Sequence, residues 1–256
     1  MATGPANALP RVLLIDDDAI SRDVLAMMLE MHGFIVDSAE NGNEALGRLE
    51  NCADNDRASL PGLILMDTQM PGVSGVELVA RLRQFSAGYI VAISGSEPGQ
   101  AIRDVTDGFL LKPIQAEDVV ALLNSGPHAK SAVSAAAPEG HADFTAKPII
   151  DPVILGRFKA MMPTAAVREI YAATAADLKT RLEILRHAMN AQDLGEVQRI
   201  SHSIKGGCAM VGVTIASEAA SRLEISNLPV TWPLELAELH DALGALEGML
   251  VGDFPA

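Results

Sequence analysis

Four short apolar runs in the first half of the chain each end in a polar residue that could do chemistry. Val12–Ile15 leads into Asp16, Asp17 and Asp18; Leu63–Met66 into Asp67; Ile90–Ile93 into Ser94; and Phe109–Leu111 into Lys112. Converging carboxylates repel one another and take up protons unless a cation joins them. A hard divalent ion with oxygen ligands, Mg²⁺ by availability, resolves that conflict. The same ion and an ammonium would neutralise a phosphoryl group arriving at a carboxylate. An Asp after a strand is often only a turn residue or a helix N-cap, and Asp18 suits that plainer role. Four run ends with complementary chemistry, in order, do not suit coincidence.

A second group lies far downstream. Leu194, Val197, Ile200, Ile204, Cys208 and Val211 mark one helical stripe, and His202 falls about 200° from Ile200 and Ile204 on the wheel. The expectation is an outward-facing imidazole with Lys205 one turn later, and Gln198 and Arg199 one turn earlier. Gly206 and Gly207 follow, although each glycine inside a helix costs about 1 kcal/mol relative to alanine. Small residues there would let another protein surface approach the ring. An imidazole with a pKa of about 6.5 is largely neutral near pH 7 and can act as a nucleophile. A nearby ammonium could stabilise a phosphoryl group in transfer. Alone, His202 reads more simply as a solvated surface histidine. His32, His128, His141, His187 and His240 have no comparable setting.

The elements that must carry these groups divide the chain. Before residue 124, apolar runs of strand length alternate with helix-like spacing over Ser21–His32, Gly42–Glu50, Gly75–Gln84 and Ala116–Asn124. With Phe34–Val36, this gives five strands and a doubly wound, flavodoxin-like α/β domain with a parallel sheet. Ligands of such a sheet sit beyond the carboxyl ends of its strands. Residues 125–147, mostly Ala, Ser, Pro, Gly and His, read as a flexible linker spanning roughly 25–30 Å. Beyond it the strand signals stop. Asp151-Pro152 reads as an N-cap and first-turn proline, Thr164 opens a long helix, and further stripes follow over 194–211, 214–226 and 233–250. This predicts an all-α antiparallel four-helix bundle over 148–256, after an α/β domain at 9–124 and a tail at 1–8.

Composition narrows the classes. A net charge of −14 argues against nonspecific binding to nucleic acid or an anionic membrane. The acidity is uneven: residues 1–124 hold 18 acidic and 8 basic side chains, residues 125–256 hold 15 and 11. No apolar run approaches the roughly 18 residues that span a bilayer, and no secretory signal is visible. Cys52 and Cys208 offer neither a disulfide framework nor metal-ligand spacing. A cytoplasmic setting is the expectation.

The segment Val12–Asp18, the run Met66-Asp67-Thr68-Gln69-Met70-Pro71-Gly72 with Gly75, Ser94, and Leu111-Lys112-Pro113 together resemble the response-regulator receiver family. The resemblance implies that Asp67 is the phosphoacceptor. Asp16, Asp17, Asp67 and the backbone carbonyl of Gln69 would hold Mg²⁺. Lys112 would pair with phosphoryl oxygens, Ser94 would hydrogen-bond them, and Phe109 would be the aromatic whose packing follows Ser94. A cis Lys112–Pro113 bond is expected as well. Two spacings depart from the family: Asp17 to Asp67 is long, with Asn51–Ser59 as the insertion, and Ser94 to Lys112 is short, leaving 96–107 little room for a full fourth helix.

Ser201-His202-Ser203-Ile204-Lys205-Gly206-Gly207, with Gly212, resembles the histidine phosphotransfer signature over about 148–250. His202 would then be the phosphohistidine and Lys205 its ammonium. The two resemblances imply a phosphorelay protein that accepts phosphate on Asp67 and carries it on His202. No ATP-binding kinase domain is visible, so the partners would be a sensor histidine kinase and another receiver or phosphotransfer domain. The alternative is a phosphorylation-controlled binding module whose bundle only docks partners. An aspartate-nucleophile phosphatase would need a second acid two residues after the nucleophile, where Gln69 stands.

Overall fold

The computed structural model describes residues 11–55, 59–125, 148–226 and 229–252. The predicted tail at 1–8 lies outside them, as does the predicted linker except for Ser125, which closes a helix. The chain forms two compact units, Met1–Ala137 and Pro138–Ala256.

In the first unit, β1 (Arg11–Ile15), β2 (Ile35–Ala39), β3 (Leu63–Asp67), β4 (Tyr89–Ser94) and β5 (Gly108–Leu111) alternate with five helices. These are α1 (Ala19–Met31), α2 (Gly42–Asn55), α3 (Gly75–Phe85), α4 (Gln100–Val105) and α5 (Ala116–Ser125). All strand pairs are parallel, in the order β2-β1-β3-β4-β5. Every residue of β3 is buried, as a strand covered on both faces requires. Alternate strand residues Leu13, Ile15, Ile64, Met66 and Ile90 pack with Ala45 and Leu49 of α2 and Leu78, Val79 and Leu82 of α3. Between β1 and β3 the strand order reverses, which opens a crevice beyond their carboxyl ends.

Two local expectations shift. The second strand begins at Ile35 rather than Phe34 and runs to Ala39, through Asp37 and Ser38. It is an edge strand with a solvent-facing side, so its second half lacks the apolar run that marks a central strand. The shortened segment after Ser94 does contain a helix, but α4 has six residues and none is buried.

The second unit contains α6 (Pro152–Met161), α7 (Thr164–Asn190), α8 (Leu194–Met210), α9 (Thr214–Ile225) and α10 (Trp232–Gly252). Asp151 caps α6 by accepting from the Val153 N–H, with Pro152 in the first turn. Four helices close a ring in which α7 touches α8 and α10, and α9 touches α8 and α10; α6 is an additional short helix against α7. The ring buries Tyr171, Leu178, Leu182 and Leu185 of α7, Val197, Ile200 and Ile204 of α8, and Leu239 and Leu246 of α10. From α9 it takes the small side chains Ala216, Ala219 and Ala220. Gly212 turns the chain from α8 to α9 at φ +76°, a conformation that favours glycine. A Cβ there would also stand 3.0 Å from Ile154 of α6.

Candidate functional site: two polar clusters

At the crevice between β1 and β3, Asp16, Asp17 and Asp67 offer carboxylate oxygens that all lie within 4.8 Å of one another. Asp16 and Asp67 are almost wholly buried. Lys112, one residue past β5, donates to Asp16 Oδ2 at 2.8 Å and to Asp67 Oδ2 at 2.6 Å. The Gln69 N–H donates to Asp67 Oδ1 at 2.8 Å. These groups meet because β1, β3, β4 and β5 end level: Ile15 pairs with Met66, Asp67 with Ile93, and Ser94 with Leu111. The Lys112–Pro113 bond is cis.

Three carboxylates face one ammonium, so the pocket carries surplus negative charge. Burial holds the Asp17 carboxyl above its usual range, and the charges of Asp16 and Asp67 push it further. Burial alone would lower the Lys112 pKa, but the same two aspartates outweigh it and the net shift is upward. A surplus of buried oxygen charge suits a hard divalent cation, so the residues present fit Mg²⁺. Asp18 is the N-cap of α1, its Oδ1 accepting from the Ser21 N–H at 2.7 Å, as the plainer reading had it.

Ser94 is buried at the end of β4, where its Oγ accepts from the Ser96 N–H at 3.3 Å and its carbonyl accepts from the Lys112 N–H at 2.8 Å. Phe109 packs inward, 7% exposed, with the Arg103 guanidinium of α4 5.7 Å from its ring centroid. Gly75 opens α3 at φ +58°. A Cβ on it would meet Ile102 of α4 at 3.6 Å, so the start of α3 lies close to α4.

The second cluster corrects the outward-facing picture of His202. Its side chain is only 16% exposed, and Nδ1 stands 2.7 Å from Glu224 Oε1 on α9. Lys205 Nζ donates to the other oxygen, Oε2, at 3.0 Å. One carboxylate thus ties both groups. The hydrogen bond from His202 holds the Glu224 carboxyl below its usual range, and Lys205 adds to the effect. An ionised carboxylate only accepts, so Nδ1 is the donor in this contact and Nε2 is the ring nitrogen not engaged by Glu224. Arg199 pairs with Glu196 on its own helix. Gly206 and Gly207, expected to admit a partner's surface, are buried. Nearby, Ser217 Oγ of α9 donates to the Lys205 carbonyl at 3.2 Å, so α9 lies directly against the α8 backbone.

Glu224 was missed because a single helical wheel shows only one helix. A signal existed: Gly212 is the pivot of the α8–α9 hairpin, with His202 ten residues before it and Glu224 twelve after. Arms of nearly equal length bring those two level.

A parallel five-stranded α/β unit with an acid–lysine pocket, followed by a helical bundle with a carboxylate-bound histidine, fits the two domain types that the sequence resembles. Comparison with known proteins agrees: the response regulator receiver domain matches residues 12–124 and the Hpt domain residues 169–248. The first domain is 33% identical over 115 residues to the chemotaxis protein CheY of Halobacterium salinarum, covering 43% of this chain and 90% of that protein. It is 35% identical over 115 residues to the transcriptional regulatory protein ResD of Bacillus subtilis, covering 43% of this chain and 45% of ResD. The sensor histidine kinase AruS of Pseudomonas aeruginosa aligns through both domains, 26% identical over 256 residues, 93% of this chain and 24% of AruS. The chain belongs to the response regulator receiver family and carries an Hpt domain behind its receiver. It spans less than half the length of ResD and about a quarter of AruS. Among the described residues, no helix is long and apolar enough to cross a membrane.

Proposed function

We propose that Asp67 accepts a phosphoryl group from the phosphohistidine of a sensor kinase, and that His202 is a second carrier which exchanges phosphate with a receiver. The observation that carries this reading is the Lys112 ammonium held between Asp16 and Asp67, with Asp17 beside them. In the first step the N–P bond of the donor breaks and an O–P bond to an Asp67 oxygen forms. Lys112 moves from the carboxylate to the phosphoryl oxygens, and Ser94 offers its hydroxyl to another. Phe109 follows Ser94 and alters the surface near α4. Asp17, Asp67, the Gln69 carbonyl and Asp16 would hold Mg²⁺, which when bound offsets charge on the phosphoryl oxygens.

At His202 the nucleophile is Nε2. As Nε2 takes a phosphoryl group from an aspartyl phosphate, positive charge grows on the ring, and Glu224 at Nδ1 balances it. Lys205, tied to the same carboxylate as His202, would supply an ammonium to the transferring group. This arrangement favours a carrier over a bundle that only docks partners, because docking has no use for an oriented imidazole.

The test is labelled transfer from a phosphorylated sensor kinase in the presence of Mg²⁺, comparing wild type with Asp67→Ala and His202→Gln. Alkali-labile label should vanish in the first variant, and acid-labile label in the second. Absence of both from wild type would end the proposal.

A further inference from the structure

Ser21 lies in the first turn of α1 and is completely buried. Its Oγ donates to Asp16 Oδ2 at 2.9 Å, and that same oxygen accepts from Lys112 Nζ at 2.8 Å. The rest of Asp16 is fixed as well: Oδ1 accepts from the Asp18 N–H at 2.9 Å, and its carbonyl accepts from Arg22 at 2.7 Å. Asp16 is therefore an anchored carboxylate, with one oxygen shared between a fixed hydroxyl and the ammonium that must move.

We infer that Ser21 is a positioning residue that sets how readily Lys112 leaves Asp16 for a phosphoryl group on Asp67, an inference that rests on Asp67 as phosphoacceptor. Lys112 bridges the two aspartates. To pair with an arriving phosphoryl group it must loosen its hold on at least one of them. Asp16 is 0% exposed, so no bulk water can take over at Oδ2. A buried carboxylate oxygen stripped of its last donor is costly, more so than a neutral group. With the Ser21 hydroxyl in place, Oδ2 keeps a donor while the ammonium shifts. Without it, Lys112 is the one protein donor shown at Oδ2, so each movement of the ammonium costs that oxygen its protein hydrogen bond and Lys112 is held more firmly at Asp16. The hydroxyl also draws charge from Oδ2, which weakens the competing pair.

The probe is beryllofluoride at saturating Mg²⁺, followed by amide NMR on the full chain, which also reports whether each variant is folded. Ser21→Ala should weaken beryllofluoride binding by about fivefold or more, while binding of Mg²⁺ alone changes by less than about twofold. Ser21→Cys, close in shape but a poor donor, should behave like Ser21→Ala, and Ser21→Thr should restore binding. In a Lys112→Ala background, Ser21→Ala should add no further loss, because the residue acts through the lysine. Wild-type beryllofluoride binding in both Ser21→Ala and Ser21→Cys would overturn the inference. So would a parallel loss of Mg²⁺ affinity, or an equal loss with Lys112 already removed. A wild-type protein that bound no beryllofluoride would instead overturn the reading of Asp67.

Discussion

The receiver pocket and the bundle cluster use the same few side-chain types in opposite charge balance. In the pocket, three carboxylates meet a single lysine; in the bundle, a single carboxylate meets a lysine and an imidazole. The first has charge left over, which a bound cation would offset. The second neutralises itself. A site with unbalanced buried charge is poised to gather a metal and a phosphoryl group, and so to promote its own reaction. A self-balanced site can hold a nucleophile in the correct tautomer, but it must borrow the rest from a docked partner. On the proposed function, the chain thus pairs an active acceptor with a passive carrier.

The contrast breaks most readily at the two lysines. Lys112→Ala should slow phosphorylation of Asp67 by about 100-fold or more, because a fixed cation is lost from a dry pocket. Lys205→Ala should slow transfer to His202 by about tenfold at most, because the partner's own cations face the same phosphate. Rates of labelled transfer with one donor for each step would show the difference, and equal losses would remove the distinction.

Glu224→Gln sharpens the comparison. It keeps the shape but removes the charge that balances the ring, so acceptance at His202 should fall about tenfold while labelling of Asp67 is unchanged. Single-turnover transfer from a phosphorylated receiver measures it.

Metal addition separates the two units without any phosphate. Millimolar Mg²⁺ should raise the receiver's melting temperature by roughly 5 °C and leave that of the bundle unmoved. Asp17→Asn should abolish the rise and Glu224→Gln should not. Calorimetry on the full chain reads both transitions.

The smallest effect is in pH, where the two clusters differ in sign. The Asp17 carboxyl has a raised pKa when folded. Its contribution to stability is complete below the ordinary value of 3.8 and is lost as pH rises through the raised one. Metal-free Asp17→Asn should therefore be slightly more stable than wild type at pH 7, as denaturant melts in a chelator would show. The Glu224 carboxyl has a lowered pKa, so its contribution is complete above the ordinary value of 4.5 and is lost as pH falls through the lowered one. Glu224→Gln should accordingly be the less stable protein at pH 7.

The two sites were unequally legible in the sequence. Asp16, Asp17, Asp67, Ser94 and Lys112 could be placed together because parallel strands end on one rim, so following an apolar run is itself a coordinate. His202 could be placed on a helix but not in its surroundings. Its partner Glu224 belongs to another helix, and what joins them is the hairpin about Gly212, a tertiary fact with no periodic signal. Ser21 was hidden for the opposite reason. It sits within the apolar face of α1, between Ile20 and Val24, where a serine looks like a lapse in the pattern rather than a donor to Asp16. The edge strand β2 was blurred because it repeats no apolar stripe long enough to read, whereas the start of α6 was legible in its Asp151-Pro152 cap.

The most direct measurement is ³¹P NMR on chain phosphorylated by a sensor kinase, with Asp67→Ala and His202→Gln as controls. The account predicts an acyl-phosphate resonance that Asp67→Ala removes and a phosphoimidazole resonance on Nε2 that His202→Gln removes. Phosphate on Nδ1, the atom bound to Glu224, or on neither residue, would contradict it.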